Sequence, residues 1–218
     1  MSALKTLDSA AATPAAVANF LRSVERRAAF LAELQCGETA HGDRALKAAI
    51  ESFAAIAPIA APETWPHLFW SNLLQNPTLN TEPLAPYWPG DFACLARLDF
   101  GPRAVLLLRV VAGMDDTQAA AIFGVEPADY RQALQGALPQ RTDGSLDGEA
   151  WLALNDEARY VMQHLPPERV AAIARIREEA LLAPSTDTTP RQQARRALPT
   201  IISKPGWLSR LRTSIGLT

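Results

Sequence analysis

The sequence predicts an all-α protein: two small helical domains followed by a C-terminal helical extension. Three observations predict this class. Apolar residues recur at three- and four-residue steps through almost the whole chain, the period of a helix with one buried face. Runs of alternating β-branched residues, the mark of a half-buried strand, are nearly absent. The breaks between periodic segments carry the punctuation of helix ends, with glycine or proline after one segment and an acidic residue or proline before the next.

The first periodic segment, about Pro14 to Gln35, places Val17, Phe20, Leu21, Val24, Ala28, Leu31 and Leu34 on one face. Gly37 ends it, and GETAHGD is expected to be a loop. A second helix is expected from Asp43, as N-cap, to Ala57, with Leu46, Ile50 and Phe53 inward. Pro58 and Pro62 break it. A third begins near Glu63, carries Trp65, Leu68, Phe69, Leu73 and Leu74, and stops at Asn76-Pro77. These helices make an expected domain over residues 14–76. Residues 77–90, with four prolines and no periodicity, read as the linker.

Helices resume at about Asp91–Leu98, Pro102–Ala112, Thr117–Phe123 and Pro127–Leu138, giving a second expected domain over residues 91–141. PQRTDGSLDGEA is a shorter break. Helices at about 147–164 and 167–182 form the extension, residues 142–183. Residues 184–218 read as a basic tail behind a Pro/Ser/Thr joint. From Ser185 onward six cations stand against one acid, a net +5; the chain totals −2, so the rest carries −7.

Composition narrows the function. With 48% hydrophobic and 20% charged residues the chain is globular rather than disordered. It has no apolar run of membrane-spanning length. The start, MSALKTLDSAAATPAAVANF, lacks a continuous apolar stretch behind a basic end, so no secretory signal is expected and a cytoplasmic protein is. Cys36 and Cys94 are too few for a disulfide framework, and His41, His67 and His164 begin no metal-ligand spacing. No phosphate loop, nucleophile elbow or catalytic triad is present, so neither enzyme activity nor a cofactor is expected.

The stretch LLLRVVAGMDDTQAAAIFGVEPADYRQALQGALP, Leu106 to Pro139, reads as helix, turn, helix. Gly113 follows a strongly apolar helix. Asp115 or Asp116 can cap the short alanine-rich helix that follows. Gly124 ends that helix, Val125 plugs the turn, and Pro127 opens an amphipathic helix with Tyr130, Leu134 and Leu138 inward. This is the helix-turn-helix arrangement.

In wording, FGPRAVLLLRVVAGMDDTQAAAIFGVEPADYRQAL resembles the promoter-reading domain of sigma-70 family factors, particularly the extracytoplasmic-function type. FLRSVERRAAFLAELQCGETAHGDRALKAAIESFAAI, followed by TWPHLFWSNLL, is similar to the polymerase-binding domain of the same factors. The likeness spans about Pro14 to Arg141; residues from Thr142 onward match no family. It implies a transcription initiation factor whose partners are core RNA polymerase and promoter DNA. It assigns the polymerase contact to Asp43, Arg44, Lys47 and Glu51, and the DNA contact to Asp129, Arg131, Gln132, Gln135 and Arg141. Family members carry a reading helix rich in Lys, Arg and Ser. Here Arg131 is the one cation on it, with Arg141 just beyond, and Glu126 and Asp129 oppose phosphate. DNA binding by the chain alone is therefore expected to be weak, since phosphate neutralisation supplies most of such affinity. Gln132 and Gln135 can still read adenine edges.

Between Lys47 and Arg97 no Lys or Arg occurs, so a surface for capturing an unpaired strand is poorly supplied. Trp65, His67, Phe69 and Trp70 offer stacking surfaces for bases, or a core stripe four residues apart. In the extension, Leu165, Val170, Ile173, Ile176 and Leu181 make an apolar stripe. It suits either a hairpin covering the reading domain or a docking face for a partner helix. The tail over residues 185–218 suits an anionic membrane surface or a regulatory protein. Two functions follow: a divergent sigma-like factor, or a sigma-fold interaction module that no longer reads DNA.

Overall fold

A computed structural model describes residues 13–81 and 83–182. The basic tail expected over residues 184–218, and any membrane or regulator contact through it, lies outside the described residues. Among them the chain is all-α: α1 (Pro14–Cys36), α2 (Thr39–Ile56), α3 (Trp65–Leu74), α4 (Phe100–Val110), α5 (Asp116–Phe123), α6 (Pro127–Ala137), α7 (Gly148–Gln163) and α8 (Pro167–Leu182). Short 3-10 turns lie between them, and the one β-type pairing among the described residues is an isolated bridge between Gln140 and Leu146. No described helix is long and apolar enough to cross a membrane.

Helix α1 forms where the periodicity placed it. Thr13 accepts a hydrogen bond from the Ala16 amide at its start, and Gly37 closes it in the left-handed region at φ 74°. Its stripe packs on α2 and α3. Phe20 and Phe53 meet tilted at 5.0 Å between ring centroids, and the other pairs among Phe20, Phe53, Trp65 and Phe69 meet edge to face at 5.6 to 5.9 Å.

Helix α2 begins earlier than the sequence suggests. It starts at Thr39, so GETAHGD is mostly helix and Asp43 lies a full turn inside rather than at the cap. The reason is a close helix crossing. A Cβ on Gly42 would sit 2.6 Å from the Glu33 amide nitrogen, so only glycine lets α1 and α2 approach there. The segment expected as an α-helix over Asp91–Leu98 is a 3-10 helix spanning Gly90–Arg97.

Residues 77–90 carry the expected prolines yet are tied to the end of α1. The Trp88 indole donates to the Leu34 carbonyl at 2.6 Å, and the Tyr87 amide donates to the Gly37 carbonyl at 2.8 Å. Leu79 is buried beside them. One apolar core runs from Val17 through the residues of α4 and α5 to Ala180, so the segments on either side of this stretch pack against each other. Arg103 joins them. Its guanidinium donates to the carbonyls of Leu95 (3.1 Å), Gln35 (2.7 Å) and Leu98 (2.5 Å), and it lies 4.4 Å from the Trp88 ring centroid. Nothing in the sequence marked that arginine as buried.

The two helices of the extension pack differently: α8 lies on α1 and α2, whereas α7 lies against the Gly90–Arg97 3-10 helix and α4, so the expected hairpin covers the second domain through α7 alone. Ile173 and Ala180 of α8 are buried, with Ile176 packed beside them. Leu181 is 38% exposed, so the expected apolar stripe is only partly used.

Candidate functional site

The α5–α6 pair is built from local chemistry upward. Asp115 accepts from the Gln118 amide at 2.8 Å, while the Gln118 side chain accepts from the Asp115 amide at 3.2 Å. This reciprocal capping box satisfies amides that the first turn would leave open. Of the two acids, Asp115 is the cap, which frees Asp116 for the surface. Gly124 sits at φ 64° and ends α5, and the Val125 amide reaches back to the Ala120 carbonyl at 3.1 Å. Pro127 then takes the first turn of α6.

Tyr130 fixes α6 onto α4. It is 1% exposed, its hydroxyl donates to the Val105 carbonyl at 3.0 Å, and its ring stacks on Phe123 at 6.1 Å. Burial pushes its phenol pKa well above the ordinary value. Leu134 and Leu138 pack on the same core, so the inward face is the one the sequence predicts.

The outward face of α6 leaves Arg131, Gln132 and Gln135 exposed, with Asp129 half-buried and Arg141 exposed in the following turn. The structure therefore groups four of the five expected DNA-facing residues on one helix and puts Arg141 just past its end. The Arg131 Nε donates to Asp116 at 3.0 Å, and Arg109 approaches the same carboxylate at 3.9 Å. A pair this exposed is worth about 0–1 kcal/mol, so a phosphate could replace Asp116 as the partner of Arg131. It nonetheless cancels much of the only positive charge on the face.

The four residues expected to contact polymerase all lie on α2, but three have partners within the chain. Asp43 receives two hydrogen bonds from Arg169 of α8, at 2.8 and 2.9 Å, and Glu33 shares that guanidinium at 3.2 Å. Lys47 donates to Glu179 of α8 at 2.9 Å, a contact that raises the lysine pKa and lowers the glutamate's. Arg44 donates to Nδ1 of His41 at 2.8 Å, which leaves the hydrogen on Nε2 to reach the Thr78 carbonyl at 2.6 Å. Glu51 is exposed.

Deeper in the same contact, Arg177 of α8 donates to both oxygens of Glu25, at 2.8 and 2.9 Å. Both side chains are at most 10% exposed. Burial pushes the Glu25 carboxyl above its ordinary value, more than the guanidinium pulls it down. Arg169 and Arg177 flank the apolar stripe of the extension, and nothing local marks them as site residues, because their partners lie 126 and 152 residues away.

Trp65, Phe69 and Trp70 are core residues, each no more than 4% exposed, and offer no stacking surface to a base; His67 is exposed. Cys36 is a free, buried thiol at the end of α1, pushed up to about 11 by burial. No group of three or more His, Cys, Asp or Glu among the described residues is placed to hold a metal ion. Comparison of the chain with protein-family models, with curated proteins and with solved structures found no match.

Proposed function

We propose that the chain is a divergent sigma-like transcription initiation factor, a binding protein without chemistry of its own. On this reading it works in the cytoplasm, binds core RNA polymerase through the α2 face, and brings the α5–α6 pair to promoter DNA. One observation carries the reading: a capped short helix, a left-handed glycine turn and a second helix anchored by buried Tyr130, with Arg131, Gln132 and Gln135 facing out. That geometry suits a helix laid in the major groove. The scarcity of cations makes polymerase the source of most of the affinity, with α6 contributing selectivity. Tagged full-length chain should co-purify with core polymerase from cell extract, and absence of polymerase from the eluate would sink the proposal.

The Arg131–Asp116 pair favours a second reading, a helix-turn-helix fold that serves as a protein-interaction module. The double substitution Arg131→Ala with Gln132→Ala separates the two. Promoter-specific transcription falls under the first reading and is unchanged under the second.

A further inference from the structure

Helix α8 lies on α2 along the face that the proposed function assigns to polymerase. Arg169 holds Asp43 and Glu33, Glu179 holds Lys47, and Arg177 holds Glu25 behind them. These contacts are ionic and grade from the exposed Lys47–Glu179 pair to the buried Arg177–Glu25 pair. Ile173 and Ala180, with Ile176 beside them, are the apolar side chains of α8 that pack on the core. The outermost pair, Lys47–Glu179, is exposed, contributes little and is screened by salt, whereas Arg169 with Asp43 is more covered and Arg177–Glu25 is buried. A partner that offers cations to the same acids replaces the α8 arginines like for like. The acids on α1 and α2 are matched here by arginines on a helix. A partner that takes the same face must supply cations in the same places or leave those acids unpaired at a cost.

We propose that α8 is a resident competitor for the polymerase-binding face, and that the chain engages polymerase only when α8 has been displaced from α2 by a cationic surface of that partner. This rests on the polymerase reading given above. A face occupied most of the time lowers apparent affinity by the fraction of chains in which it is open. Weakening the seam from the α8 side should therefore strengthen polymerase binding, while every candidate contact residue on α2 stays intact.

The experiment titrates fluorescently labelled full-length chain with purified bacterial core RNA polymerase and follows amide hydrogen exchange along α8. Arg169→Glu sets a carboxylate against Asp43 and Glu33. The milder pair Arg169→Ala with Glu179→Ala removes the seam contacts without adding charge, and serves if the first variant misfolds. Binding tighter by on the order of 10-fold in either variant is expected. Faster exchange along α8 in the wild-type complex than in the free wild-type chain is expected as well. If all chains bind polymerase equally and α8 stays protected in the wild-type complex, the competitor idea is overturned and the polymerase reading stands. If no chain binds polymerase, that reading fails and takes this one with it.

Discussion

Replacing Arg177 with methionine leaves the Glu25 carboxylate buried with no partner. Both side chains are at most 10% exposed and the guanidinium spans both carboxylate oxygens. Removing one member of such a pair costs about 3–5 kcal/mol, because the remaining charge keeps its desolvation penalty and loses its compensation. For a chain of this length that corresponds to a fall in Tm of roughly 6–20 °C. The double substitution Arg177→Met with Glu25→Leu removes the charge as well and should recover to near the wild type or above it. The loss appears as global unfolding or as detachment of α8. Urea denaturation followed by tryptophan fluorescence is therefore paired with amide exchange along α8. The sign with pH is also fixed. Burial raises the folded pKa of Glu25 above its ordinary 4.5. The folded state thus binds more protons in the window above that value, and the carboxyl's contribution to stability falls as pH rises through it. The deficit of Arg177→Met should accordingly be larger at pH 8 than at pH 5. A single variant within about 1 kcal/mol of wild type, or a double variant as unstable as the singles combined, would refute the reasoning.

Three further outcomes follow from named contacts. Gly42→Ala forces a Cβ to within 2.6 Å of the Glu33 amide nitrogen and should cost about 1–3 kcal/mol in chemical denaturation; a neutral result would mean that α1 and α2 are not in close contact there. Tyr130→Phe removes the hydrogen bond to the Val105 carbonyl, at about 1 kcal/mol by thermal denaturation. Because burial raises the folded pKa of this phenol, the wild type should lose stability as pH rises above 10, and Tyr130→Phe should lose less. Cys36, buried and shifted up to about 11, should resist a thiol reagent at pH 8 in the native chain and react on unfolding; prompt labelling of the native protein would contradict its position.

Local chemistry was legible in the sequence where a few neighbouring residues decide it. The i, i+4 spacing of Trp65 and Phe69 offered a core stripe beside the stacking alternative, Asp115 or Asp116 stood at the right offset to cap α5, and Gly124 and Pro127 framed the turn. Features set by distant partners were not legible. Gly42 sits among residues that suit a loop, and only the approach of α1 makes it helical. Arg103, Arg169 and Arg177 carry charges that helical period alone would send to solvent, and each finds a partner far along the chain, at separations of 68, 126 and 152 residues. The candidate site divides in the same way. The outward set on α6 follows from helical period alone, whereas the engagement of Asp43 and Lys47 by α8 depends on how the extension packs.

The central claim is that the chain directs core polymerase to particular promoters, and reconstituted transcription tests it most directly. Purified core RNA polymerase would transcribe total genomic DNA of the source organism with and without the full-length chain, and the 5′ ends of the RNA would be sequenced. The account predicts a discrete set of start sites present only with the chain, and lost with Arg131→Ala plus Gln132→Ala while polymerase binding persists. An unchanged distribution of 5′ ends in the presence of the chain would contradict it.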